Sequence, residues 1–256
     1  MMTFDEAWLK ERAGELQASL TFLTRLRFAP VAPAGGAALA QGAWAFPIAG
    51  LIVAAIGALV YWLAHRVGLP PLPCAALSVA ATMLVTGCLH EDGLADTVDG
   101  FGGGDTREQK LEIMRDSRTG AYAVCALVLT IVLRVSALAS LATPALVVPA
   151  LFAAHGAARA IMAVFMFFIP PARSNGLSAA AGQPPRESAG AASVLGIVIL
   201  GLCLGPWLGL AALVVLVIAA AFLAWLSLTQ VDGQTGDVLG AVEQTGEIVV
   251  LLVALI

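Results

Sequence analysis

Apolar positions in this chain do not alternate with polar ones; they run on without interruption. Unbroken runs extend over Ala43–His65, Leu72–Leu89, Gly120–Leu141, Ala145–Phe168, Ala191–Leu204, Trp207–Leu228 and, finally, about Val238 to Ile256. A bilayer's hydrocarbon core, roughly 30 Å thick, is crossed by about 20 residues of helix. Turn-forming stretches separate the runs: "GLPPLPC", "ATP", "IPPARSNG", "AGQPPRE" and "LGPW". The pattern predicts an all-α, polytopic transmembrane helix bundle of about seven spans, or six if the last only dips into the bilayer. The first 42 residues break the rule. Phe4, Trp8, Glu15 and Phe22 sit among charges at mixed helical spacing. This predicts an amphipathic helix lying on the membrane surface or a short cytosolic one.

Composition strengthens that picture. The 256 residues are 60% hydrophobic and 12% charged, with a mean hydropathy of +0.92. Soluble domains carry about 25% charged residues, so this chain cannot cover a water-facing surface. Lipid removes the need. Cys74, Cys88, Cys125 and Cys203 lie in apolar segments without a paired spacing, and read as small buried hydrophobes. The acidic N-terminal segment lacks the continuous apolar core of a signal peptide. No nucleic-acid partner is expected.

Basic residues then orient the bundle. With the N-terminus in the cytoplasm, that side receives Lys10, Arg12, Arg25, Arg27, Arg107, Lys110, Arg115, Arg118, Arg173 and Arg186, ten against Arg66 alone opposite. Segments 91–119, 170–190 and 229–246 are thereby expected to face the cytoplasm together, around one catalytic domain spanning the chain.

Eight of the 17 acids fall between Glu91 and Asp116. Asp92, Asp96 and Asp99 stand at i, i+4 and i+7, which places three carboxylates within about 60° of one helical face. Such stacked like charges repel, and more strongly beside a low-dielectric bundle. A hard divalent cation would neutralise them, and an all-oxygen set favours Mg²⁺, Mn²⁺ or Ca²⁺. The alternative is a solvated acidic loop. The glycines of "GFGGG", Gly102 and Gly103 among them, suit a backbone that approaches phosphate closely. Arg115, Asp116 and Arg118 follow, and guanidinium forks match phosphate oxygens; ordinary positive-inside decoration is the other reading. Arg173 and Asp237 are placed on the same side. Arg134, His155, Arg159 and Glu247 are ionisable residues inside apolar runs, hence functional candidates, although His155 reads more simply as a hydrogen-bonded packing residue.

The run "GCLHEDGLADTVDGFGGG" followed by "KLEIMRDSRTGAYAV" resembles the signature of the adenosylcobinamide-GDP ribazoletransferase (cobalamin-5′-phosphate synthase) family. "LTFLTRL", "FPIAGL", "ARSNGL" and "TGDVLGA" follow in that family's order, so the likeness covers nearly the whole chain. Arg27 with Phe28 departs from it, where a proline-bearing "TRLP" is expected. The resemblance implies an integral enzyme of the bacterial inner membrane with cytoplasmic active-site loops. Its substrates would be adenosylcobinamide-GDP and α-ribazole or α-ribazole 5′-phosphate, its product adenosylcobalamin or its phosphate, and its leaving group GMP. It implies Mg²⁺ held by Asp92, Asp96, Asp99 and Asp116, the last a ligand or general base. Phosphate and substrate contacts would come from His90, Gly102, Gly103, Arg115, Arg118, Arg173 and Asp237. Association with other corrinoid-assembly enzymes, or with a second copy, fits such a role.

Three other readings share features of this pattern. Intramembrane prenyltransferases use D-x3-D-x3-D, usually twice, whereas this chain has D-x3-D-x2-D once. The D-G-x2-A-R motif of CDP-alcohol phosphotransferases is interrupted by Asp96 and Thr97. An ion-coupled transporter would be supported by inverted repeats, and the two halves of the chain carry none.

Overall fold

The computed structural model describes residues 6–26 and 36–256, with residues 7, 36, 37 and 177 described by backbone alone. Phe4, Arg27 and Phe28 lie outside them. All regular elements among the described residues are helical: α1 (Glu6–Leu23), α2 (Gly36–Gln41), a 3-10 turn (Gly42–Ala45), α3 (Phe46–Arg66), α4 (Pro71–Thr86), α5 (Leu89–Gly103), α6 (Arg107–Ile113), α7 (Ala121–Leu141), α8 (Pro144–Phe168), α9 (Leu177–Ala181), α10 (Arg186–Val231) and α11 (Gly236–Val253). Local chemistry starts several of them. Proline occupies the first turn of α3, α4 and α8, where a missing N–H costs nothing. Thr106 and Gln109 close a capping box on α6. The Thr235 hydroxyl accepts the Val238 N–H to open α11.

The central element is α8, packed against α3, α10 and α11. Its buried positions are mostly small: Ala150, Ala153, Ala154, Gly156, Ala157, Ala158, Ala160 and Ala163. Small residues let backbones approach closely where apolar burial cannot drive association, as in lipid. The outer surface is the reverse, with Leu84, Leu129, Leu202, Trp207 and Ile218 exposed.

Four helices are long and apolar enough to cross a membrane, Ala38–Arg66, Ala121–Leu141, Pro144–Phe168 and Arg186–Val231, and the bent pair α4–α5 makes a fifth. The seven apolar runs of the sequence do not match these helices one for one. The runs 191–204 and 207–228 share the 46-residue α10. The 16-residue α4 is short for a span, and α11 carries Asp237, Glu243 and Glu247. Yet α10 is no straight rod. Gly205 has φ 78° and Pro206 follows it. A Cβ on Gly209 would stand 2.9 Å from the Leu200 carbonyl oxygen, whereas residues nine apart in a straight helix are about 13 Å apart. The chain folds back at Gly205, and the two runs form its arms.

The helix α1 is fastened to the bundle. Ser19 donates to the Gly42 carbonyl at 2.7 Å, and the Trp44 indole donates to the buried Glu15 at 2.7 Å. Trp8 and Leu9 stay on its exposed side.

Candidate active site

The acidic stretch expected as a loop over 91–119 is largely helical, forming α5 and α6. Two consecutive residues in the left-handed region, Gly87 (φ 67°) and Cys88 (φ 57°), end α4 and start α5, and the two helices meet at 88°. Then α5 crosses α11 at a pair of glycines: a Cβ on Gly93 would lie 2.8 Å from the Asp237 carbonyl oxygen and 3.1 Å from the Gly240 Cα. This close crossing carries the first acids of α5 to the first turn of α11.

Asp92 is exposed, Asp96 half-buried and Asp99 buried. Asp96 lies within electrostatic reach of Asp92, Asp237 and Asp99. Arg173 reaches Asp237 at 3.8 Å, and the Thr235 hydroxyl donates to the same carboxylate at 3.1 Å. Asp92, Asp237 and His90 line a cavity of ≈ 100 Å³ walled by Phe22, Phe46 and Met166. Asp99 turns elsewhere: its carboxylate accepts the N–H groups of Gly120 at 2.5 Å and Ala123 at 2.9 Å, capping α7.

Three segments converge beside this cavity. Arg107 of α6 bonds the carbonyl oxygens of Val231 and Ala172. Ala172 and Gln234 are joined by a backbone bond of 2.8 Å, and Arg115 donates to the Asn175 side chain at 2.7 Å. Asp116 and Arg118 stand apart, in a separate groove with Gly103, Gln109 and Glu112. There the Arg118 guanidinium forks onto Asp116 at 2.8 and 3.1 Å. Its hydrogen bonds to the carboxylate hold Asp116 below the ordinary carboxylate range. Gly102 is no open cradle, since a Cβ there would meet the Tyr122 ring at 2.9 Å. The glycines that suited a close approach of phosphate form the last turn of α5.

Beneath the cavity lies a buried polar network. Arg134 contacts Glu91 at 3.0 Å and Glu247 at 3.3 Å. Arg159 contacts Glu243 at 2.5 Å and Glu247 at 3.1 Å. His155 pairs with Glu247, His90 lies 3.5 Å from Glu243, and Gln244 donates to Glu243 at 3.0 Å. His155, Glu243 and Glu247 could by themselves surround a cation. The guanidinium of Arg159 already stands in that place.

The chain matches the cobalamin-5-phosphate synthase family over residues 15–255. It belongs to that family. A protein of Bradyrhizobium diazoefficiens named adenosylcobinamide-GDP ribazoletransferase is 55% identical over 240 residues, covering 94% of this chain and 92% of its own. Proteins of the same name from Mesorhizobium japonicum and Azorhizobium caulinodans are 50% identical over 235 residues and 43% over 256, each covering at least 90% of both chains. No solved structure matches the chain.

In this family member, then, the sequence-derived residues divide into three groups. Asp92, Asp237 and His90 line the cavity, Asp96 lies within electrostatic reach of both aspartates, Arg173 stands against Asp237, and Arg115 bonds the Asn175 side chain. Asp116, Arg118 and Gly103 share the outer groove. Asp99 and Gly102 serve packing and capping. The sequence reading passed over Glu91 as a buried partner. Its signal was there: one residue from Asp92 is about 100° around the helix, which turns Glu91 inward when the aspartates face out. Arg107 as a loop tie had no such signal.

Proposed function

We propose that this protein is an adenosylcobinamide-GDP ribazoletransferase that performs the last condensation of cobalamin synthesis. A ribose hydroxyl of α-ribazole, or of its 5′-phosphate, attacks the phosphorus on the cobinamide side of the diphosphate. The new O–P bond forms as the bond to the bridging oxygen breaks, the hydroxyl proton passes to water, and GMP leaves with that oxygen. The observation that carries this reading is a cavity lined by Asp92 and Asp237, with Asp96 in electrostatic reach of both and Arg173 against Asp237, in a chain otherwise poor in charge.

Asp92, Asp96 and Asp237 offer only oxygen donors and outnumber the one guanidinium against them, which is the chemistry a hard cation takes. Asp92, Asp96 and Asp237 are the residues that would hold Mg²⁺. When bound, that ion supplies positive charge to the phosphate oxygens. Arg173 orients a phosphate by charge-assisted hydrogen bonds, with Arg115 behind it. Asp99 keeps α7 docked and so holds α5 in place. Arg118, bonded to Asp116, faces the outer groove, where an incoming phosphate would exchange for that carboxylate. The convergent segments face the cytoplasm of a bacterial cell whose inner membrane holds the bundle, which gives both polar substrates access.

Purified protein in proteoliposomes, given adenosylcobinamide-GDP, α-ribazole and Mg²⁺, should release one GMP per corrinoid product. Absence of GMP from an intact, folded preparation would end this reading.

A further inference from the structure

The α4–α5 hinge carries a second polar recess. Thr21, Thr24, Arg25, Thr86, Cys88 and Asp92 line it, and it encloses ≈ 370 Å³. It shares Phe22, Leu89 and Asp92 with the cavity above Asp237, so the two recesses meet at Asp92.

Two of the three threonine hydroxyls here are already committed. Thr24 donates to the Leu20 carbonyl at 2.7 Å and Thr86 to the Thr82 carbonyl at 3.0 Å. Arg25 is different. Its backbone N–H donates to the Val85 carbonyl at 2.7 Å, which pins the residue to the end of α4. Its guanidinium lies across Gly87, where a Cβ would run into Nε. The positive φ at Gly87 disfavours a side chain on separate grounds. Among the described residues no carboxylate forms an ion pair with Arg25, although the side chain is exposed and Asp92 lines the same recess.

A positioned, unpaired guanidinium beside a carboxylate cluster is equipment for an anion. Asp92, Asp96 and Asp237 outnumber Arg173, and a diphosphate diester brings further negative charge to that rim. An anionic substrate there needs positive charge on both flanks. We propose that Arg25 grips the diphosphate of the nucleoside-diphosphate-linked substrate from the α4–α5 hinge, opposite Arg173 on the α11 side. This deepens, and rests on, the transferase reading.

The test is calorimetric binding of GDP with Mg²⁺ to the detergent-purified full chain, with guanosine as the phosphate-free comparator. In Arg25→Ala the Kd for GDP should rise about ten- to a hundred-fold, as loss of a charge-assisted contact requires, with guanosine unchanged. Arg25→Lys should fall between, since it keeps the charge and loses the fork. If Arg25→Ala is not monodisperse, Arg25→Gln replaces it. With turnover, KM for the GDP-linked substrate should rise while KM for α-ribazole holds. Equal GDP affinity in wild type and the uncharged variant, or no GDP binding by wild type, overturns the proposal. Arg25-dependent GDP binding without GMP release from the corrinoid substrate would instead remove the transferase reading and leave the diphosphate subsite standing.

Discussion

Asp92, Asp96 and Asp99 share one face of α5 but meet three environments. Asp92 opens to the cavity, Asp96 is half-buried among other carboxylates, and Asp99 is spent on two backbone N–H groups of α7. Their substitutions should therefore fail differently. Asp92→Asn and Asp96→Asn should lower kcat on the order of 100-fold or more with the melting temperature in detergent little changed. Asp99→Ala should lower that temperature, because a lost helix cap costs about 0.5–2 kcal/mol. Equal thermal and catalytic profiles for all three would contradict the division.

At the scale of elements, the crossing of α5 over α11 places the acids, and it depends on Gly93 and Gly240. A side chain at Gly93 meets backbone atoms of α11, which cannot swing aside. Gly93→Val should destabilise the fold by about 1–3 kcal/mol, as overpacking does, and should lower activity further by spreading Asp92 from Asp237. Gly14→Ala in α1 is the control. Nothing lies within 4 Å of its Cβ position, and helix propensity favours the change by about 1 kcal/mol. Thermal unfolding and GMP release on both variants check the pair; a Gly93 variant as stable as the Gly14 one would contradict the crossing.

Over the whole molecule, polarity is turned inside out. Large apolar side chains face outward while Glu91, Arg134, His155, Arg159, Glu243 and Glu247 are buried together, joining α5, α7, α8 and α11. Breaking such a set by removing one member leaves an uncompensated charge. Glu247→Leu, which takes one of two carboxylate partners from each arginine and the carboxylate from His155, should cost about 3 kcal/mol of stability, read as a lowered detergent unfolding midpoint. An unchanged midpoint would mean that the network contributes nothing to holding the bundle. The convergence of segments makes a second whole-molecule prediction. Single cysteines at Thr106, Ser174 and Asp232, all exposed, in a background with native cysteines replaced by alanine, should label from one side of the membrane. A membrane-impermeant maleimide applied to each face checks this, and one dissenting position would refute it.

The chain alone determined that it is helical, that its apolar runs stand where the long helices stand, and that its acids crowd between Glu91 and Asp116. Unbroken apolar stretches and a dense acidic block are properties of neighbouring residues, readable without folding. Three-dimensional packing decided which acids lie near one another. Helical periodicity put Asp92, Asp96 and Asp99 on one arc and topology put Asp237 on their side, but spacing could not know that the N-terminus of α7 would bind Asp99 or that Asp237 would come within electrostatic reach of Asp96. Nor could spacing reveal that Glu91, in the same block, would turn inward to Arg134, 43 positions away. The 88° hinge at Gly87 and Cys88 is the physical reason. It redirects α5 into the bundle, so that a stretch resembling a surface loop gives one face to the cavity and the other to a buried network of charges.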